Sequence, residues 1–378
     1  MNYISWKFIY LLRGGILNNI KLLNNITRVE DLNLYLNLTK NEKVKMDEIL
    51  ERYPMSITPY YISLVDFNDP NDPIKKMCIP SLEETDLSGS FDTSDEADNT
   101  IITGMQHKYK QTVIVLSTNH CAMYCRHCFR KRLVGLSDEE IAKHFEDMLE
   151  YVKEHEEINN ILISGGDSLL NSNKKIEKFL DVLCDIPHID LIRFGTRIPV
   201  VYPERITRDN ELKEILSKYG KKKQIYVVTQ FNHPREVTNE ASDAIKYLKE
   251  AGVIIKNQTV LLKGVNDNSQ ILGDLLKKIT AIGIIPYYVF QCRPVTGVKN
   301  QFQVPLKEAI DIVEGAKNLQ NGQGKCFKYC MSTIRGKIEI VGKIDDNKIV
   351  FKYHQAKYDE DRGRVFIEEV DEDQTWIY

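Results

Sequence analysis

The 378-residue sequence lacks any basic excess: 51 Lys and Arg stand against 54 Asp and Glu, a net charge of -3. A chain so balanced offers no electrostatic footprint for a nucleic-acid backbone. It also lacks an apolar run near the ~20 residues of a membrane-spanning helix. The apolar stretch 3–12, broken by Lys7 and followed by Arg13, has no basic leader and no small-residue cleavage site. It reads as a short helix on the main body and not as a secretion signal. There is no low-complexity tract. Eight cysteines in a chain of this length, with no second Cys-x-x-Cys element to pair into a zinc site, suit free thiols in a reducing cytoplasm and not a disulfide framework.

What is present is a spacing. Cys121, Cys125 and Cys128 form Cys-x-x-x-Cys-x-x-Cys directly after an apolar, strand-like stretch. A [4Fe-4S] cluster usually takes four Cys thiolates, so a three-Cys loop leaves one iron for a non-protein ligand. S-adenosylmethionine, bound through its amino and carboxylate groups, suits that open iron. A reduced cluster beside a sulfonium can break a carbon–sulfur bond and release a 5'-deoxyadenosyl radical. The residues alone leave two alternatives open, a structural zinc site and buried thiols. Cys78, Cys184 and Cys292 are isolated, and Cys326 and Cys330 stand four apart.

From residue 111 onward, short β-branched runs alternate with helix-period segments. Strands are expected at 112–117, 160–164, 191–195, 225–229, 254–262 and 284–291, with helices at 175–184, 211–219, 240–251 and 269–282 between them. Ile141, Phe145, Met148, Leu149 and Val152 share a helical face, and Ser137 with Glu140 reads as its capping box. Regular βα alternation implies parallel strands with right-handed crossovers. Six units are fewer than the eight that close a barrel. The expected fold is therefore α/β, a partial (β/α)6 TIM-like barrel, with functional groups at the carboxyl ends of its strands. Three segments follow: 1–110, helical and irregular, with a helix at 41–52; 111–292, the barrel core; and 293–378, with a helix at 305–317, a hairpin over 336–353 and a last strand at 365–370. The acidic stretch 83–98 reads as a solvated connector. Ser164-Gly165-Gly166-Asp167 ends the second strand, and paired glycines there allow a close approach of backbone to a ligand.

Residues 54–61 (PMSITPYY), 69–74 (DPNDPI), the loop CAMYCRHC at 121–128, SGGD at 164–167, FNHP at 231–234, NQ at 257–258 and PYY at 286–288 together resemble lysine 2,3-aminomutase and its relatives. The resemblance covers residues 41 to about 340. It implies a radical S-adenosylmethionine isomerase that also uses pyridoxal phosphate and moves an amino group between adjacent carbons of a free amino acid. By resemblance, Ser164, Gly165, Gly166, Asp167, Arg197, Gln230 and Gln258 contact S-adenosylmethionine, although Gln230 replaces a family histidine. Lys337 takes the pyridoxal-binding place, and Lys108 and Tyr109 the phosphate side.

Two departures bear on that cofactor. Residues 332–336 are bulkier than the glycine run that precedes the family's lysine, and Thr112 stands where an arginine is expected. Arg130 matches the arginine that grips the substrate carboxylate. The two aspartates that hold a distal ammonium are replaced by Arg293 and Cys330, so the resemblance implies an acidic substrate in place of lysine. No cysteine follows Cys330 to build the intersubunit zinc site of some relatives. An electron donor of the flavodoxin or ferredoxin class and a homo-oligomer complete what the resemblance implies. Two other readings stay open: a pyridoxal-independent radical enzyme (epimerase, dehydrogenase or peptide-modifying), and a non-catalytic binding module.

Overall fold

Strands of the βα region bury every second side chain against helices and turn the ones between toward an interior hollow. In a computed structural model, which describes residues 24–377, twelve strands pair in chain order within one sheet. Two of them, β1 (Thr100–Ile102) and β2 (Met105–Tyr109), lead antiparallel into β3 (Thr112–Thr118). Parallel pairing then runs through β4 (Asn160–Gly165), β5 (Leu191–Gly195), β6 (Gln224–Thr229), β7 (Ile254–Leu261), β8 (Ile285–Gln291) and β9 (Lys328–Thr333). An antiparallel meander of β10 (Gly336–Lys343), β11 (Lys348–Ala356) and β12 (Val365–Glu369) ends the sheet. All three segments of the sequence division thus contribute to one sheet.

The helices obey local rules. α1 (Lys40–Arg52) opens on a capping box of Thr39 and Glu42. Between β3 and β4 lies α2 (Phe145–Glu154), and α3 (Asn173–Cys184), α4 (Asn210–Gly220), α5 (Asn239–Glu250) and α6 (Ser269–Ala281) fill the later gaps. Ser172, Asp209, Thr238 and Asn268 cap the last four, each accepting a backbone N–H of the first turn. α4 buries Leu212, Ile215, Leu216 and Tyr219, one stripe at helical spacing. The core lies between these stripes and outward strand residues such as Ile161, Ile163, Ile192 and Phe194. Truncating Phe194 to Ala would cost about 3–5 kcal/mol. α7 (Leu306–Asn318) packs against α6.

The open, partial barrel is as expected, with a seventh parallel strand, β9, added to the six. Two other expectations change, and one is not reached. The 3–12 stretch lies outside the described residues. The helix before β4 starts at Phe145, because Ser137 Oγ accepts from Glu139 N and Glu140 pairs with Arg132, 2.9 Å away, so neither residue caps it. The acidic stretch 83–98 is not simply solvated, since Glu84 and Glu96 are buried. No described helix is long and apolar enough to cross a membrane.

Candidate active site

The carboxyl ends of the strands and the inward face of the sheet enclose a cavity of about 330 Å³, within the range of small-molecule sites. Cys121, Cys125 and Cys128 line it, as do the other residues named from sequence: Ser164, Gly165, Gly166, Asp167, Arg197, Gln230, Gln258, Lys108, Tyr109, Arg130, Arg293 and Lys337. Lys108 and Lys337, 229 positions apart, converge because the strands that carry them belong to one curved sheet.

The cysteine loop, 119–131, is clamped from below. Arg126, fully buried, donates through Nε to Glu84 Oε1 at 2.8 Å and pairs through Nη2 with Glu84 Oε2, while Nη1 reaches Pro54 O at 2.9 Å. Lys131 Nζ shares Glu84 at 2.6 Å. Burial would raise the Glu84 pKa, but the two cations override it and hold the carboxyl low. Arg126 N donates to Met77 O and Tyr124 N to Ser56 O, both at 2.9 Å. The segment 53–79 is thus a cradle for the loop, which explains its specific sequence.

The three thiols are free. Burial pushes the Cys121 thiol up and Cys128 up to about 11, so binding a metal cluster would release protons. Arg197 Nη1 lies 2.7 Å from Cys125 Sγ, a cation beside a sulfur that becomes an anionic ligand. Among the described residues no three His, Cys, Asp or Glu side chains converge on a single ion. A cubane instead takes each thiolate on a different iron, so its ligands surround a volume. A donor set of three sulfurs on one cavity-facing loop fits that group. Cys292 lines the cavity too, from the end of β8, with its Sγ toward Arg293 O at 3.8 Å.

The two glycines at the end of β4 do something the sequence did not suggest. A Cβ at Gly165 (φ +108°) would meet Thr118 O at 2.3 Å, and one at Gly166 would meet His120 O at 2.3 Å. They admit backbone to backbone: Gly166 N donates to Thr118 O and Asp167 N to His120 O, docking the end of β4 under the cysteine loop. Asp167 in turn accepts from Thr196 Oγ1 at 2.5 Å and Arg197 N at 2.7 Å. Burial raises its pKa to about 6 against those bonds. Arg197 is fixed by Gln230 O at 3.0 Å and by buried Glu236 at 2.6 Å, which also accepts from Tyr61 OH. Gln230 Nε2 rests 3.1 Å from His127 Nε2.

Arg130 does not present a free fork. Glu96 Oε1 occupies its Nε and Nη2 at 3.1 and 3.0 Å, and Nη1 donates to Ser164 Oγ at 3.2 Å. Burial works against the Glu96 charge, yet Arg130, Arg293 and Arg132 hold its pKa at about 2. Arg293 turns into the cavity, where Nη1 donates to Ser94 Oγ at 2.8 Å. Its Cζ lies 4.3 Å from the Phe129 ring centroid, with Arg130 Cζ 4.6 Å from the same ring. Cys330 is buried.

Lys337 enters from β10 because that strand pairs with β9 in the register Lys337 to Ser332. Its Nζ is 3.1 Å from Gln355 Oε1 and 4.1 Å from the Tyr288 ring centroid. Burial, with Arg193 and Arg293 adding repulsion, pulls its pKa down to about 7, which supplies the neutral amine that carbonyl chemistry needs. That fits a pyridoxal aldehyde. Lys108 Nζ is held by Ser94 O at 3.1 Å and Thr333 O at 2.6 Å, with burial bringing it to about 7.

Sequence reasoning missed Glu84, Glu96, Glu236 and Arg193. The first two sit in a charge run that looks solvated. Arg193 left a signal, an arginine alternating with Ile192 and Phe194 inside a strand.

Comparison with known proteins follows the same line. The Radical SAM superfamily model matches residues 115–275. The chain is 38% identical over 349 residues to an Aquifex aeolicus protein provisionally named an L-lysine 2,3-aminomutase, covering 92% of this chain and 93% of that one. It is 38% identical to the L-lysine 2,3-aminomutase of Clostridium subterminale, covering 82% and 72%. It is 37% identical to the glutamate 2,3-aminomutase of Clostridioides difficile, covering 81% and 72%.

Proposed function

The chain belongs to the lysine 2,3-aminomutase family of radical S-adenosylmethionine enzymes, and on that premise we propose that this isomerase acts on a free α-amino acid bearing a second carboxylate, as glutamate does. The observation that carries the choice is Phe129 held between Arg130 and Arg293, all three lining the cavity. A distal ammonium would enter against Arg293, whereas a carboxylate would gain a charge-assisted hydrogen bond there. The glutamate 2,3-aminomutase relative supports the same reading.

Cys121, Cys125 and Cys128 hold the cluster, with Gly166, Asp167, Arg197, Gln230 and Gln258 around S-adenosylmethionine. When bound, these supply a carbon radical from one electron, and pyridoxal phosphate supplies an electron-accepting π-system. The chain's own residues do the rest. Arg130, oriented by Glu96 and Ser164, receives the α-carboxylate on its remaining edge. Arg293 receives the distal one. Lys337, about half neutral near pH 7, meets the pyridoxal aldehyde. The apolar wall of Val228, Val260, Tyr288 and Phe290 excludes water from the reacting carbon. An external one-electron donor completes the system.

The test is anaerobic reconstitution with iron, sulfide and pyridoxal phosphate, then strong reductant, S-adenosylmethionine and single amino acids. The expected result is 5'-deoxyadenosine with a β-amino acid from an acidic substrate and little turnover of lysine. Efficient turnover of lysine alone would overturn the proposed specificity.

A further inference from the structure

Arg193 is a cation in the wrong kind of place to be idle. It projects from the middle of β5 into the cavity, its Nε is buried without a hydrogen-bond partner among the described residues, and no described carboxylate lies within salt-bridge distance. The residue as a whole is half-buried on the cavity wall, and a cation whose shielded side has no partner is costly to keep. The nearby groups do not relieve it: its electrostatic neighbours are the phenols Tyr287 and Tyr288, and burial draws its pKa below the usual guanidinium range. A fold keeps such a group when a ligand supplies the counter-charge.

The rest of the cavity narrows what the ligand is. Arg130 has Glu96 and Arg293 has Ser94. Lys108 is engaged by two backbone carbonyls, and Thr112 beside it is neutral. The phosphate side expected near Lys108 and Thr112 is therefore poorly furnished. Arg193 shares a cavity layer with Ile114 and Leu162, its partners by register across β3 and β4. It also neighbours Lys337 closely enough to help depress that amine, and the Tyr288 ring adjoins both.

We propose that Arg193 is the phosphate receptor of this cavity and takes the phosphate monoester of pyridoxal phosphate while Lys337 meets its aldehyde. This assignment rests on the pyridoxal reading of the proposed function. A guanidinium suits a phosphate because its fork offers two parallel donors, and it replaces the missing cation at Thr112 from a different strand.

The experiment titrates the full-length, anaerobically reconstituted protein with pyridoxal phosphate and with pyridoxal, following visible absorbance, and measures thermal stabilisation by inorganic phosphate. Arg193→Gln is expected to weaken pyridoxal phosphate about 10- to 100-fold, to leave pyridoxal within about twofold, and to abolish stabilisation by phosphate. The ligand-free variant should melt no lower than the parent, since an unpaired charge has been removed. Arg193→Lys should retain part of the phosphate response and guards against a variant that fails to fold. Equal losses for both aldehydes, or no loss for either, would overturn the assignment. If the parent binds no pyridoxal phosphate yet its phosphate response disappears in Arg193→Gln and survives in part in Arg193→Lys, the phosphate receptor stands and the pyridoxal reading falls. If neither ligand binds the parent, both fall.

Discussion

The wall that carries the cysteine loop and the wall that faces it treat charge in opposite ways. On the loop side each buried arginine has its carboxylate: Arg126 with Glu84, Arg130 with Glu96, Arg197 with Glu236. On the facing side Arg193, Arg293, Lys108 and Lys337 line the cavity with no carboxylate at salt-bridge distance among the described residues. The first arrangement is closed and holds a loop in place. The second is open and waits for a ligand that brings negative charge. Buried pairs are costly to break because the survivor is stranded, whereas unpaired cations are costly until something binds. Arg130 belongs to both, closed on its Glu96 side and with its remaining edge left for the substrate carboxylate.

The largest effect should come from the loop. Replacing Cys125 with Ala is expected to lower cluster iron and to abolish 5'-deoxyadenosine formation; iron analysis with product chromatography checks this, and full cleavage activity would refute the ligand role. Next, Glu84→Gln strands Arg126 and Lys131 and should destabilise the protein by about 3–5 kcal/mol in a denaturant melt. A change below about 1 kcal/mol would mean that the closed network contributes no more than a surface pair.

On the receptor side, Arg293→Asp should lower kcat/KM for an acidic substrate about 100-fold and improve acceptance of lysine, as expected when a buried charge contact is reversed. Unchanged selectivity would remove Arg293 from substrate contact. A pH-dependent effect concerns Lys337, whose pKa is depressed from 10.5 to about 7. Between those values the unfolded chain holds a proton that the folded chain has released, so stability rises with pH across that window. Lys337→Met should therefore stabilise the ligand-free protein most below pH 7, with the gain shrinking toward pH 10.5. Melting curves across pH measure it. A pH-independent gain would indicate a packing effect and not a titrating amine.

Much of this molecule was legible in its residues because the relevant information is local. Helix caps act within one turn, β-branched runs act within one strand, and the cysteine spacing acts within one loop, so strands such as Leu191–Gly195 and the ligand-bearing loop could be placed from sequence alone. What required the tertiary structure was the pairing of charges far apart in the chain. Glu84 and Glu96 sit in a run that resembles a solvated linker, and only the fold brings them to Arg126 and Arg130, 42 and 34 residues away. The same holds for the two glycines, whose purpose is a neighbouring backbone, and for β9, whose short run Lys328–Thr333 becomes a strand by pairing with β8. Arg193 is the sharpest case: its letter is visible in the sequence, but whether a half-buried arginine has a partner depends on every strand around it. Chain-local propensities act over a few residues, while the cost of an unpaired charge is set by everything within several ångströms in space.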